Sequence, residues 1–430
     1  MNIVASSINI IIGRIVSMII SFISAIIIAR YLSAEDRGIL SIYLYTVTFI
    51  VIILNAGLVE SSIYLLNNGK LHKEAVIKNQ ILYLFFIACI FFGLAALSIN
   101  FFSEVKILDF YCLVLIVILM LFNSLFRHYL LAEKKIRTYN ISVIFENISY
   151  LLFVFLCFFL KLSFTYILLS NLVAQVIVLI FLLRKIRNSL PKFEWPALNL
   201  YYIKKSYSLG LHLFITSLGG FGLQRISFFI LNYFTGAKSV GLYTIASTLP
   251  TIYENLPQQI STIAYTYSSA EEDFFRRRDI AVGLIKLILY CVTFATLPLI
   301  IFPEQIMVFI FGNKYGGLGN VTLILTISTI FSSLSGIFYN LLAGIGKPIF
   351  GTYLTIINLS VTLITSFFFI NNFGLIGAAY SKLISSIVAV IFIGYFFLRH
   401  YEIGIKDILI IKGEELNLLL LYFRKPKFIK

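Results

Sequence analysis

The chain consists of long apolar runs separated by short polar connections. Runs of roughly 20 or more apolar residues cross about 30 Å of hydrocarbon as α-helices, whereas the strands of a membrane barrel would alternate over about 10 residues. The pattern therefore predicts an all-α polytopic membrane protein with about twelve transmembrane helices. The first run is too long for the core of a cleavable signal peptide, and we expect it to remain as the first helix. The predicted spans are residues 3–29, 38–66, 79–99, 108–126, 141–160, 164–183, 209–234, 241–267, 280–302, 320–344, 350–370 and 374–398.

Matching segments indicate that one six-helix unit occurs twice. Residues 31–42, YLSAEDRGILSI, return as residues 234–245, FTGAKSVGLYTI, at the turn between the first two spans of each half. Because each copy has an even number of spans, both copies lie the same way up, which is the parallel-repeat arrangement of transporters with a central substrate path. Further matches at one common offset pair Leu130, Leu131, Ala132, Asn147, Ser149, Ser170, Leu172, Ile180 and Phe181 with Leu341, Leu342, Ala343, Asn358, Ser360, Ser381, Leu383, Ile391 and Phe392.

The repeat and the connections predict four segments. Residues 1–184 and 208–398 are the N-terminal and C-terminal six-helix bundles, and the longest internal connection, residues 185–207, is a cytoplasmic linker between them. Residues 399–430 form a cytoplasmic basic tail with two apolar patches. Because neither patch reaches the length of a span, an interfacial amphipathic helix is favoured over a thirteenth crossing.

Composition excludes a water-soluble protein. Hydrophobic residues make up 60% of the chain, charged residues 12%, and the mean hydropathy is +0.97, whereas ordinary globular proteins carry roughly 25% charged residues. Enzyme signatures are also missing from the sequence: the four histidines lie in loops or at span ends without metal or triad spacing, and no phosphate-binding Gly-Lys-Ser/Thr loop occurs. We therefore expect no metal, no cofactor and no enzymatic activity. The four cysteines lie inside apolar runs and indicate core packing; they are Cys89, Cys112, Cys157 and Cys291.

The Lys and Arg residues predict the orientation of the chain. One set of connections holds roughly 24 of them and the opposite set roughly 6, a bias that places both termini in the cytoplasm. The net charge of +15 is then explained by the cytoplasmic loops and their contact with anionic membrane lipids. No nucleic-acid partner is expected.

Seven charged residues are predicted to lie at membrane depth. An ionised side chain at membrane depth costs at least about 2.5 to 3.5 kcal/mol on insertion scales, so such residues normally face a wet cavity or a partner. The cations are candidates for substrate binding, and the carboxylates are candidates for ion coupling. The candidate cations are Arg14, Arg225, Lys382 and Lys286, and the candidate carboxylates are Glu254, Glu146 and Glu60.

Other roles are open to most of these charged residues. For Arg14 and Arg225 the alternatives to anion contact are a structural ion pair with one of the three carboxylates, or a place at the interface. Glu60, Glu146 and Lys286 lie nearer the cytoplasmic ends of their spans, where a plain interfacial role is equally open. Because the planar guanidinium of Arg suits phosphate oxygens, the two arginines favour a phosphate-bearing substrate.

Glu254 lies between two prolines, Pro250 and Pro257, beside Asn255 and two glutamines. Prolines within a helix leave backbone carbonyls without their usual donors, and a lipid-facing helix would not leave such groups unsatisfied. The segment therefore indicates a polar interior. A kinked hinge with a titratable carboxylate suits ion coupling, but a helix bend stabilised by neighbouring amide side chains fits as well.

Five short motifs carry a family resemblance that spans nearly the whole chain. The turn Tyr31–Gly38, with sequence YLSAEDRG, resembles the turn after helix 1 in Wzx-type oligosaccharide flippases, within the MATE-like multidrug/oligosaccharidyl-lipid/polysaccharide exporter superfamily. One departure is Ser33-Ala34, where that family often has Gly-Pro. The other motifs are Asn55–Leu58, Ala237–Tyr243, Gly312–Tyr315 and Phe373–Tyr380.

The resemblance implies a pair of six-helix bundles around a cationic cavity in the bacterial inner membrane. It implies alternating-access transfer of an undecaprenyl-diphosphate-linked oligosaccharide to the periplasmic face, for O-antigen or capsule synthesis. A polysaccharide polymerase and a chain-length regulator are then the expected protein partners. Arg14, Arg225 and Lys382 are plausible members of the cavity, although no family motif falls on them.

Three rivals to this interpretation have distinguishing features. A multidrug or small-molecule exporter of the same superfamily is expected to favour acidic cavity residues, whereas Arg and Lys are prominent at depth here. A flippase for peptidoglycan precursors is expected to have two further full spans. A membrane-bound polymerase or ligase is expected to carry a large periplasmic loop with catalytic residues.

Overall fold

The computed structural model describes residues 3–67, 73–98, 105–187, 199–270 and 273–409, and within these ranges the chain is helical without strands. A short 3-10 helix spans Asn313–Tyr315. The α-helices are α1 Ile3–Tyr31, α2 Ala34–Asn55, α3 Leu58–Asn67, α4 Lys73–Ser98, α5 Ile107–Ala132, α6 Ile136–Phe159, α7 Phe164–Ile186, α8 Leu200–Ala270, α9 Phe274–Ile301, α10 Pro303–Phe311, α11 Gly319–Gly344, α12 Ile349–Tyr401 and α13 Ile405–Leu409.

Ten helices of the described chain are long and apolar enough to cross a membrane. Two of them, α8 and α12, contain one non-helical residue each, Gly236 (φ 79°) and Gly374 (φ 55°). Divided at these two residues, the ten helices give twelve candidate spans, the number that the hydrophobic pattern predicts. A single glycine replaces the expected loop at each break, because residues without a Cβ adopt positive φ at little cost.

The second predicted span, residues 38–66, is two helices instead of one. The chain turns at Ala56 (φ 43°) and Gly57 (φ 80°), between α2 and α3. The Asn55 side chain stabilises this break, since its Oδ1 accepts a hydrogen bond of 2.9 Å from the backbone N–H of Val59. A Cβ added at Gly57 would overlap the backbone carbonyl of Gly210 on α8. The break therefore lets two backbones meet.

The chain divides into two compact units, residues 1–221 and 222–430. In the first, α1 packs on α6, and α5 packs on α2, α3 and α7. Its core includes Ile116, Leu121 and Leu130, all fully buried. The first 22 residues of α8 belong to this unit, where Ile203 packs with Leu58, Val59 and Leu84.

In the second unit, α11 packs on α9 and α12. Ile285, Ile337 and Phe397 lie at the centre of its core. The start of the C-terminal tail forms α13, whose Ile408 is buried in the same cluster. The rest of the predicted amphipathic tail lies outside the described residues, as do residues 188–198 of the predicted linker; the last residues of that linker, from Leu200 on, belong to α8.

In both units, an aromatic pair packs at the end of the first span. In the first unit, Tyr31 packs edge-on against Phe158 at 5.8 Å, and its hydroxyl donates to the carbonyl of Leu162. In the second unit, Phe234 packs edge-on against Phe367 at 5.9 Å. Tyr31 and Phe234 are equivalent in the sequence repeat, so the repeated segment has a shared packing role.

The connection from α10 to α11 is organised by one carboxylate. Glu304 accepts hydrogen bonds from the backbone N–H groups of Gly317 and Gly319, the latter at 2.7 Å. Tyr315, just before them, is fully buried, and burial lowers the pKa of the neighbouring Lys314. This arrangement gives a structural reason for the motif Gly312–Tyr315.

Candidate functional site

The second unit brings a predicted cation and a predicted ion-coupling carboxylate together. Lys382 Nζ on α12 lies 3.7 Å from Glu254 Oε1 on α8, and the two side chains are 33% and 20% exposed. The distance is that of an ion pair without a hydrogen bond, so the ammonium is held loosely and keeps donors for other acceptors. α8 stays helical through Pro250 and Pro257, on either side of Glu254.

A line of buried hydroxyl groups runs beside Lys382. Ser381 is within 2.8 Å of Ser366 and 2.7 Å of Thr365, and Ser366 is within 3.0 Å of Ser227 on α8. One turn beyond Ser381, Ser385 is within 2.8 Å of Thr362. The hydroxyls join three spans by side-chain hydrogen bonds.

Sequence analysis missed these hydroxyls. The signal was present as Ser and Thr four residues apart in the last two predicted spans, a pattern that favours contacts between membrane helices.

The other two candidate cations of this unit differ in burial. Arg225 on α8 is half-buried, with its guanidinium carbon 5.7 Å from the centre of the Phe228 ring. Lys286 on α9 is only 4% exposed, between the core residues Ile285 and Ile288. A role for Lys286 in substrate contact stays a prediction, and such a role would require a substrate to reach the core of the unit.

Arg14 lies on the exposed side of α1 in the first unit. The preceding residue, Gly13, marks the contact of α1 with α6, because a Cβ there would lie 2.8 Å from Asn140 Cγ. Arg14 therefore sits just beyond a close helix contact. Its role as an anion contact stays a prediction.

Glu146 is the centre of a polar network in the first unit. It forms a salt bridge with Arg127, and Gln175 Nε2 donates to its other oxygen at 2.7 Å. Asn123 donates to Gln175 Oε1 at 2.8 Å, so the network joins α5, α6 and α7. The predicted span ends at residue 126, whereas α5 continues to Ala132 and carries Arg127 within it.

Glu60 is held at the break between α2 and α3. Asn55 Nδ2 lies 3.0 and 2.9 Å from its two carboxylate oxygens. Glu60 also stands in the first turn of α3, where the helix dipole favours a negative charge. These contacts favour a structural role, and ion coupling by Glu60 stays a prediction.

Asp109 is a buried carboxylate that sequence analysis missed. It is the second residue of a predicted span, and only 4% of it is exposed. Within the described residues its Oδ1 has no hydrogen-bond partner. Tyr43 on α2 and Cys112 on α5 interact with it electrostatically.

Comparison with known sequences gives a family and two partial relatives. A family model described as polysaccharide biosynthesis protein matches residues 3–267. An uncharacterized membrane protein of Methanocaldococcus jannaschii is 28% identical over 250 residues, which are 56% of this chain and 49% of that protein. The probable low-salt glycan biosynthesis flippase Agl15 of Haloferax volcanii is 24% identical over 220 residues, 50% of this chain and 45% of that protein. The chain thus spans about half the length of these relatives.

Comparison with solved structures shows the fold. The inward closed conformation of the lipid II flippase MurJ aligns with a TM-score of 0.74 at 16% identity, over 98% of this chain and 94% of that one. The inward-facing conformation of a multidrug resistance MATE family transporter aligns with a TM-score of 0.69 at 14% identity, over 89% and 95%. The predicted all-α, MATE-like fold is confirmed.

Proposed function

Because the chain belongs to the polysaccharide biosynthesis protein family, we propose that it is a flippase for a lipid-linked glycan. The match of the family model over residues 3–267 carries this proposal. The finer proposal is an undecaprenyl-diphosphate-linked oligosaccharide moved by alternating access across a bacterial inner membrane. The delivered oligosaccharide unit is used for surface polysaccharide, either O-antigen or capsule. A polymerase and a chain-length regulator act on it after delivery.

The proposed substrate explains why such a protein is needed. Moving even one hydroxyl without a partner from water into hydrocarbon costs several kcal/mol, and an oligosaccharide head carries many hydroxyls. A polar path through the protein removes that barrier, while the lipid tail remains in the bilayer. The diphosphate needs compensating cations along the path.

Lys382 is the cation that the contacts favour most for this role. It is one third exposed and its carboxylate partner is 3.7 Å away, so an incoming diphosphate competes with a single long ion pair. Arg127, in contrast, is engaged by Glu146 and Ser142. Arg225 and Arg14 are the further candidates for contact with phosphate, through their planar guanidinium groups.

The test is a flipping assay in proteoliposomes that contain the full chain and a lipid-linked oligosaccharide from a polysaccharide-producing bacterium. Lectin added outside the vesicles measures the fraction of glycan in the outer leaflet over time. We expect the wild type to equilibrate the two leaflets, and Lys382→Ala to slow this about tenfold, as loss of one charge-assisted contact predicts. Lys382→Arg keeps the charge and retains most of the rate.

Lys161→Ala is the matched control, because Lys161 is an exposed cation in the turn between α6 and α7. Its rate should equal that of the wild type. A multidrug exporter would instead move a cationic dye such as ethidium and leave the glycan where it was. That result would replace the flippase proposal with its rival.

A further inference from the structure

We propose that one end of the second unit binds the phosphate headgroup of an anionic phospholipid. Three elements meet at this end: the first turn of α9, the connection between α11 and α12, and the last turn of α12. They bring together Arg277, Lys347 and His400, which we call the basic cluster. The charge bias of the sequence predicts that this end faces the cytoplasm, where anionic lipids attract Lys and Arg. The inference does not depend on the proposed flippase function.

The basic cluster offers hydrogen-bond donors. Lys347 Nζ lies 3.1 Å from His400 Nδ1. Because an ammonium group only donates, Nδ1 accepts this bond, which assigns the proton of the imidazole to Nε2. The Arg277 guanidinium, which also only donates, interacts electrostatically with the same histidine. Once Nδ1 is engaged, the three side chains have N–H groups to give and no acceptor. Phosphate oxygens are the complementary ligand.

Aromatic packing fixes His400 in place. Its ring lies edge-on to Phe274 of α9, with 6.2 Å between the ring centres. The next residue, Tyr401, is fully buried and stacks on the same Phe274 at 5.9 Å. Beyond it, Ile403 and Ile408 bury the following segment in the core of the unit. A site held in this way loses little conformational freedom when a ligand binds.

The carboxylates at this end do not neutralise Lys347. Asp273 accepts a hydrogen bond of 2.7 Å from the first turn of α9, and Asp407 accepts one of 3.1 Å from the backbone just before α13. Asp279 and Glu402 are exposed. With no described residue does Lys347 form a salt bridge. Positive charge gathered in this way attracts an anion.

The surface beside the basic cluster suits a lipid better than a soluble anion. Ile349 and Tyr353 follow Lys347 on α12, Tyr395 precedes His400, and roughly half of each of these side chains is exposed. Arg399 Nη1 donates to the Tyr395 hydroxyl at 3.2 Å, a pairing that fits the headgroup region. Acyl chains can lie along the exposed apolar side chains while the phosphate reaches the cluster.

The test is native mass spectrometry of the full chain in detergent, titrated with phosphatidylglycerol or with phosphatidylcholine of the same acyl chains. We expect the wild type to prefer phosphatidylglycerol. Lys347→Ala should weaken the affinity for phosphatidylglycerol about tenfold, as loss of a charge-assisted hydrogen bond predicts, and Lys347→Arg should retain it. His400→Phe keeps an aromatic ring and removes the Nε2 donor, so it should weaken binding about fivefold.

Lys406→Ala is the matched control. Lys406 is an exposed cation on α13, at the same end of the unit but outside the basic cluster. Because salt screens exposed charges, this change should weaken binding less than about twofold. If Lys347→Ala and Lys406→Ala weaken binding equally, the attraction is diffuse and the proposed site is wrong. Equal binding of the two lipids by the wild type would refute it as well.

A phosphatidylglycerol with a photoreactive headgroup locates the site on the wild type, so this measurement does not depend on the folding of a variant. We expect label within residues 345–353 or 395–401, and label found only elsewhere would overturn the proposal. Excess inorganic phosphate should not displace the lipid; displacement would assign the cluster to a soluble anion. Displacement by a lipid-linked oligosaccharide would assign it to the transport substrate instead. A protein that fails the flipping assay would leave all these results intact.

Discussion

The charged side chains within the spans fall into two kinds, according to how firmly other groups hold them. Arg127 and Glu146 are about one fifth exposed and share a network with Gln175 and Ser142. Lys382 and Glu254 are joined by one long ion pair. The first arrangement suits a structural contact, since its hydrogen-bonding groups are already engaged. The second suits a contact that changes during a transport cycle.

The Arg127–Glu146 pair should therefore act on stability. Removing one member of a buried ion pair costs about 3–5 kcal/mol, and the partial exposure of this pair reduces that to about 2 kcal/mol for Arg127→Met. The free energy of unfolding in detergent, or the melting temperature, measures the loss. In the double variant Arg127→Met with Glu146→Leu the loss should be smaller, because no carboxylate is left without its cation.

Lys135→Met is the control for that experiment. The Lys135 side chain, which pairs with Glu133, is 41% exposed, so loss of this pair should change stability by less than about 1 kcal/mol. If Arg127→Met and Lys135→Met are equally mild, the network around Glu146 contributes no special stability.

The sequence singled out Glu254, Glu146 and Glu60, but it did not predict the partners that the structure gives them. Glu254 and Lys382 are 128 positions apart, and their pairing depends on how α8 and α12 pack, which no local pattern contains. Asp109 was missed for a related reason. A carboxylate near the end of an apolar run resembles an interfacial residue until the surrounding helices are known to cover it.

The helices themselves follow closely from the hydrophobic pattern, since length and apolarity dictate what crosses a bilayer. The differences lie at glycines. The runs before and after Gly236 and Gly374 are continuous helices except for that one residue, and residues 38–66 are divided at Gly57. Sequence reasoning treats glycine as a weak signal inside membrane helices, because it is common there and often has only a packing role.

The contact between Gly57 and Gly210 offers a test of the break between α2 and α3. Gly210→Ala adds a Cβ that would overlap the carbonyl of Gly57. On helix propensity alone the change should stabilise α8 by about 1 kcal/mol. We expect the opposite sign, with a loss of about 1–3 kcal/mol from overpacking, visible as a lower melting temperature.

Gly220→Ala is the matched variant ten residues further along the same helix. Nothing lies within 4 Å of a Cβ added there, so this change should be neutral or stabilising. A Gly210→Ala protein as stable as Gly220→Ala would show that the two backbones do not meet as described.

The sequence repeat and the charge bias make predictions about the whole molecule and not about the packing of a single helix. The repeated segment makes a similar aromatic contact in each unit, with Tyr31 packed on Phe158 in the first and Phe234 packed on Phe367 in the second. The charge bias predicts which ends of the helices lie in the cytoplasm. Residues on either side of α5 allow that orientation to be measured.

Single cysteines test the orientation in intact cells. In a background without the four native cysteines, Lys106→Cys precedes α5 and Arg137→Cys lies at the start of α6, and both positions are exposed. The positive-inside rule predicts that a membrane-impermeant maleimide labels Lys106→Cys from outside and Arg137→Cys only after the cells are permeabilised. The reverse pattern would invert the proposed direction of transport.

The boundary of the first unit has a practical consequence for dissecting the protein. Ile203 packs with Leu58, Val59 and Leu84, and the Gln80 side chain contacts Ser206 at 3.3 Å. A truncated chain that stops at residue 184 would leave this apolar and polar surface uncovered, and should aggregate when expressed alone. A half-molecule that ends at residue 221 retains its own cover, so it is the fragment to choose for spectroscopy or for reassembly from two separately synthesised pieces.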